Sequence, residues 1–145
     1  MTSVFFDANV YYAASRSPLG GSAELYRIIK AKKIKIYATS LVLLEAERNI
    51  RSKEPLPARL NFYSLISDLK PKIIEIDRQK AEKDFLAIIN KKDAYVLEGA
   101  RRAKVDFLVT LDKKDFFTEK IRSANLPFEI LTPGQLILKL RDILL

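Results

Sequence analysis

The chain has 145 residues, 48% of them hydrophobic and 30% charged, with a net charge of +8 and a pI near 9.7. Such a length supports a hydrophobic core without staples. The absence of both cysteine and histidine excludes disulfides, thiolate and imidazole metal sites, and Ser-His-Asp or Cys-His catalysis. No apolar run approaches the ~18 residues of a membrane span. The N-terminal stretch lacks the basic start, apolar middle and small-residue cleavage site of a signal peptide, so the cytoplasm is the expected compartment.

In chain order, Ser3–Phe6 reads as a short buried strand followed at once by Asp7. A lone carboxylate there is costly unless paired, neutralised or bound to a metal. A short helix over 8–15 ends at Pro18-Leu19-Gly20-Gly21, and Ser22 is the expected cap of the next helix, where Leu25, Ile28 and Ile29 recur at helical spacing. KIKIYA (33–38) alternates as a second strand. Ser40 is the expected cap of a helix to about Arg51, SKEPLP (52–57) a loop, and Leu60, Tyr63, Ile66 and Leu69 mark another helix. KIIEI (72–76) is the third strand, and Asp77 caps a helix to about Ile89. Asp93 opens the helix of Val96, Leu97 and Ala100; DFLVT (106–110) is a fourth, buried strand. A helix near 114–124, the strand PFEIL (127–131), and a terminal helix started by Thr132-Pro133 complete the chain.

Strands alternating with helices, with no repeat or linker, predict one α/β domain over 1–145, a mostly parallel sheet of about five strands in a three-layer α/β/α arrangement. Ligands of such sheets bind beyond the carboxyl ends of the strands. Asp7 follows the first strand there and Asp112 the fourth, 105 residues apart. Like charges gathered on one rim call for a cation, and carboxylates with hydroxyls suit Mg²⁺ or Mn²⁺. Asp115 and the Thr110 hydroxyl belong to the same stretch, VTLDKKD. Asp93 reads as a helix N-cap whose second oxygen is free for a metal. Glu45 and Glu47 both border an apolar helix flank, and spacing does not choose between them. Asn9 stands two residues after Asp7, and Tyr11 and Tyr12, near the site by chain position, would either stack on a base or pack in the core.

Basic charge attracts nucleic acid through counterion release. The short clusters are Lys91 and Lys92, Lys113 and Lys114, and Arg101 with Arg102 and Lys104; of these, Lys113, Lys114, Arg101 and Arg102 are the candidate nucleic-acid contacts.

Together FFDANV, SLVLLEAERNI, KKDAYVLEGARRAKVDFLVTLDKKDF and ILTPGQLI resemble the PIN domain family, small metal-dependent nucleases that include the VapC-type toxins of toxin–antitoxin pairs. The resemblance covers nearly the whole chain. It implies Asp7, Glu45, Asp93 and Asp112 as an acidic catalytic quartet, with Asp7, Asp93, Asp112 and Asp115 as metal ligands. It prefers Glu45 to Glu47 because Glu45 falls five residues after Ser40, and it makes Asn9, Ser40 and Thr110 supporting polar positions. Leu111 stands where many relatives carry Gly or Asn. The implied activity is Mg²⁺- or Mn²⁺-dependent cleavage of RNA, with a small antitoxin as partner. Leu56, Leu60, Phe62, Tyr63 and Ile66 would line a groove for that partner, form a homodimer contact, or pack in the core. The alternatives are a housekeeping RNA-processing nuclease and a non-catalytic nucleic-acid-binding module. A haloacid-dehalogenase-type phosphatase would want an acid at Asn9, and a receiver-like phosphoacceptor would want paired acids after the first strand.

Overall fold

The computed structural model describes residues 2–144. In chain order its elements are β1 (Ser3–Phe6), α1 (Ala8–Arg16), α2 (Gly21–Lys32), β2 (Lys35–Ala38), α3 (Ser40–Lys53), α4 (Leu56–Leu69) and β3 (Lys72–Ile73). They continue with α5 (Arg78–Asp84), α6 (Ala94–Ala103), β4 (Phe107–Val109), α7 (Lys113–Phe116), α8 (Glu119–Ser123), β5 (Glu129–Leu131) and α9 (Pro133–Leu144). The strands form one parallel sheet in the order β3-β2-β1-β4-β5, the three-layer α/β/α fold the alternation predicts. No helix of the described residues is long and apolar enough to cross a membrane.

Every residue of β1 and β4 is buried, as strands covered by helices on both faces should be. The chain winds outward from β1 to β3, then crosses to the other side of β1 to enter β4. The junction of β1 and β4, in register as Phe6↔Val109, is therefore the topological switch point where such sheets open a crevice. Helices α1 to α4 pack on one another, while α5 packs on α6, and α6 lies across β1, β2 and β4. The approach of α6 to the sheet is fixed by Gly99: a Cβ there would stand 2.5 Å from the Phe5 ring and 3.2 Å from the Thr39 methyl.

Several boundaries differ from the sequence-based expectation. The α3 cap is Thr39, whose hydroxyl accepts from the Val42 amide, and Ser40 is the first helical residue, exposed. Gly20 takes the cap position expected of Ser22, which lies buried inside the first turn of α2. The third strand shrinks to Lys72–Ile73 because its partner runs out: Ala38 pairs with Ile73 and its carbonyl accepts from the Ile74 amide, after which Thr39 turns away into α3. Asp77 does cap α5, but that helix stops at Asp84, and turns carry the chain on while burying both Phe85 and Ile89. The helix near 114–124 breaks in two where Thr118 caps α8. Three helices, α2, α4 and α6, end on a lysine in the left-handed region, Lys33, Lys70 and Lys104.

Candidate functional site

Beyond the carboxyl ends of β1 and β4 lies a cleft of about 310 Å³, lined by Asp7, Ala8, Asn9, Tyr12, Glu45, Asn49, Lys53, Lys92, Asp93 and Asp112. Its acids come from four separate segments: the end of β1, the body of α3, the start of α6 and the end of β4. The sheet's switch point and the helix phases bring them together.

Asp7 is buried at the floor. Its Oδ1 accepts from the Ala8 amide at 2.7 Å, and its Oδ2 accepts from the Thr110 hydroxyl at 2.8 Å and the Asn9 side-chain amide at 3.2 Å. The Asn9 amide also donates to Thr110 Oγ1, and its carbonyl accepts from the Leu111 amide. Thr110 Oγ1 in turn accepts from the Asp112 amide at 3.1 Å. This network ties the ends of β1 and β4 into one unit and fixes where Asp112 begins. Leu111 needs no glycine-like conformation: it has no positive φ, and its side chain is exposed.

Burial pushes the Asp7 carboxyl up from its ordinary 3.8 to about 6, with the charges of Glu45 and Asp93 adding to the rise and the hydrogen bonds from Thr110 and Ala8 opposing it. The acids thus feel one another across the cleft. Glu45 is held by the Tyr95 hydroxyl, which donates to its Oε2 at 2.6 Å. Burial, and then that bond, keep the Tyr95 phenol well above its usual range and so protonated as a donor. Glu47 is directed elsewhere, accepting from the Tyr63 hydroxyl on the opposite flank of α3.

Asp93 occupies the N-cap position of α6 but makes no cap bond there. Its Oδ2 accepts instead from Asn90 Nδ2 at 2.9 Å and from Lys92 Nζ at 3.2 Å. One carboxylate oxygen each from Asp93, Asp112 and Asp115 lie within 4.8 Å of one another. Asp112 caps the short α7 by accepting from the Asp115 amide. Lys92 Nζ sits 3.9 Å from Asp115 as well, so a tethered cation already stands among the acids. Donors that are all carboxylate, with a hydroxyl and an amide behind them and no nitrogen or sulfur ligand, fit a hard divalent cation such as Mg²⁺ or Mn²⁺.

Not every expected site residue gathers here. Ser40 lines a separate groove with Glu47, and Arg101 is engaged internally. Its guanidinium donates to the fully buried Glu98 and to Asp84 and covers the Phe85 ring, so these donors are spent inside the protein. Arg102, Lys113 and Lys114 are exposed. Tyr11 is buried in the core against Phe6, whereas Tyr12 lines the cleft and donates to Glu54. Sequence reasoning missed Asn49, Lys53, Lys92 and Tyr95. The first two follow Glu45 at four-residue steps on the same helix face, a signal that was readable; Tyr95 is fifty residues from Glu45 and left none.

The groove that Ser40 joins, about 520 Å³, runs between α3 and α4 and is walled by Leu43, Leu44, Phe62, Tyr63, Ile66 and Ile73. Phe62 is buried beneath it, while Leu56 and Leu60 lie exposed further along α4.

No curated protein matches the chain. Among solved structures, a chain of VapBC2 from Rickettsia felis, determined bound to a DNA fragment from their promoter, superposes with a TM-score of 0.67 at 14% identity, over 90% of this chain and 98% of that one. At that identity the likeness establishes the fold. The family model of the PIN domain matches residues 3–114, from β1 through the acids that follow β4, and the chain belongs to the PIN domain family.

Proposed function

We propose that this protein is an endoribonuclease that hydrolyses RNA phosphodiester bonds with Mg²⁺ or Mn²⁺, acting as the toxin of a toxin–antitoxin pair. The observation that carries the reading is the convergence of Asp7, Glu45, Asp93 and Asp112 on one cleft, with Asp115 beside the last two. Asp7, Asp93, Asp112 and Asp115 are the residues that would hold the cation. When bound, a divalent ion supplies charge neutralisation at the phosphodiester and a water of lowered pKa.

The chain's own groups do the rest. Asn9 and Thr110 fix the Asp7 carboxylate and, through the Asp112 amide, the turn that carries the second strand-end acid. Tyr95 orients Glu45 at the cleft wall, a position suited to receiving a proton from the attacking water. Lys53 and Lys92 line the same cleft and offer positive charge to the phosphate backbone on either side of the cut bond. Tyr12 at the wall offers a ring face to a base.

The antitoxin reading draws on the fold shared with the VapBC2 chain and on the apolar groove between α3 and α4. Purified protein is expected to cut RNA with added Mn²⁺ or Mg²⁺, to stop on chelation, and to lose cutting in Asp7→Asn. Chelator-resistant cutting would overturn the metal dependence, an unaffected D7N would overturn the acidic cleft as the site, and no cutting under any ion would overturn the nuclease assignment. Expression in bacteria is expected to arrest growth through the same residue; unaltered growth with intact cutting in vitro would favour an RNA-processing enzyme over a toxin.

A further inference from the structure

The densest lysine run of the sequence, KAKKIKIY (30–37), and the segment LKPK (69–72) play no part in the acidic cleft. They lie far apart in the chain, yet β2 and β3 pair in parallel, with Tyr37 opposite Lys72, and this brings them together. A concavity of about 390 Å³ opens between them at the entry ends of these two strands, the end of the sheet opposite the acids. Lys30, Lys33, Lys35, Lys70 and Lys72 line it, against a single acid, Asp68. That acid is already taken by Lys30 at 3.1 Å and the Tyr26 hydroxyl at 2.6 Å. The other four lysines make no ion pair among the described residues. So much unpaired like charge around one hollow is stabilised by an anion.

The chemistry at the floor selects the kind of anion. Helices α2 and α4 both arrive with their C-terminal, electronegative ends, and the amides of Lys33 and Lys70 are used in capping those helices. The two helices thus bring no N-terminus to the hollow and their two capping amides are spent, so it lacks two features that favour a compact polyphosphate. What is offered is a set of long, exposed ammonium arms around a hollow whose wall includes the half-buried Tyr37, with Ile36 buried behind it. Spaced single charges with sugars and bases between them match that surface.

We propose that this pocket is a second nucleic-acid site, which grips the phosphate backbone of single-stranded RNA at a distance from the acidic cleft. The choice of RNA rests on the function proposed above; the binding site itself does not.

The test is fluorescence anisotropy of a labelled oligouridylate of about twelve nucleotides in EDTA, where nothing is cut. It compares wild type with Lys35→Gln/Lys72→Gln, which alters strand lysines and leaves both helix caps intact. At about 50 mM salt the double variant is expected to bind roughly ten times more weakly, and its log–log salt slope to shrink by about 1.4, near 0.7 for each lost phosphate contact. Lys35→Arg/Lys72→Arg, which keeps the charge and serves as the check on folding, is expected to bind as wild type does. Unchanged affinity in K35Q/K72Q, or an equal loss in Lys83→Gln/Lys120→Gln, which removes the same charge elsewhere, would overturn the site. These lysines would then only blunt the sheet edge and set net charge. Displacement of the oligomer by micromolar inorganic pyrophosphate would also overturn the assignment to a strand. Because the reading is made without metal, a protein that binds but never cuts refutes the nuclease reading alone. One that cuts with no effect of Lys35 and Lys72 refutes this proposal alone.

Discussion

Asp7 is held in a conflict that folding alone does not resolve. Its carboxyl is raised to about 6 by burial and by neighbouring acids, so at neutral pH the folded protein carries a charge it binds reluctantly. Because the folded value lies above the unfolded one, the stability tied to this group is fully present below about pH 3.8 and is lost as pH rises through 6. The full shift corresponds to about 3 kcal/mol. Asp7→Asn removes that dependence. In metal-free protein the stability difference between D7N and wild type is expected to move in the variant's favour by up to this amount between pH 4 and pH 8, read by denaturant melts at each pH. A difference flat with pH would mean that the carboxylate is not strained. Glu45 and Glu47 form a second pair of opposites at this scale. Spacing along α3 left both open, and the structure separates them by their partners, Tyr95 across the cleft and Tyr63 across the groove. Glu45→Gln is expected to lower RNA cutting by about 100-fold or more, and Glu47→Gln to leave it within about twofold. The reverse order in a cleavage assay would reassign the wall of the site.

Among the elements, α6 carries the most. It brings Asp93 to the cleft at its first turn, sets Tyr95 against Glu45, and lies on the sheet where Gly99 meets Phe5. The ring of Phe5 is fully buried and has nowhere to go. Gly99→Ala returns about 1 kcal/mol of helix propensity but overpacks the contact, so a net loss of about 1–2 kcal/mol is expected, seen as a fall in thermal midpoint. A midpoint unchanged or raised would show that α6 shifts freely on the sheet. The elements also show what a sequence discloses and what it withholds. The alternation of strand and helix was readable because the two central strands, β1 and β4, are buried throughout, β2 alternates, and the helices between them are periodic. The length of β3 was not, since KIIEI is strand-like along its whole run and only the turn of Thr39 into α3 decides where pairing stops. Likewise Thr39 and Ser40 are equivalent caps by residue type, and the backbone chose the first. Asp7 was readable from place alone, a charge directly after a buried strand, and Asp112 from its place three residues beyond β4. That Arg101 is held by Glu98 and Asp84 was not readable, because Glu98 looks, in sequence, like any other helix acid.

At the scale of the whole molecule, charge is sorted. A protein of net charge +8 keeps a concentration of carboxylates at one end of its sheet and of lysines at the other. The sheet's winding order sets this polarity: β1 and β4 meet at the switch point and present their C-terminal acids, while β2 and β3 begin from the lysine-rich helix ends. Such an arrangement suits a long polyanion that is held by its backbone and acted on at one place. Acids that form a single cation site are expected to take up a divalent ion together, and calorimetric titration of metal-stripped protein with Mn²⁺ measures this without any choice of substrate. Wild type is expected to show saturable binding, and Asp7→Asn/Asp112→Asn, still folded, to show none. Equal Mn²⁺ affinity in the folded double variant would contradict the account, because the two strand-end acids would then share no ion.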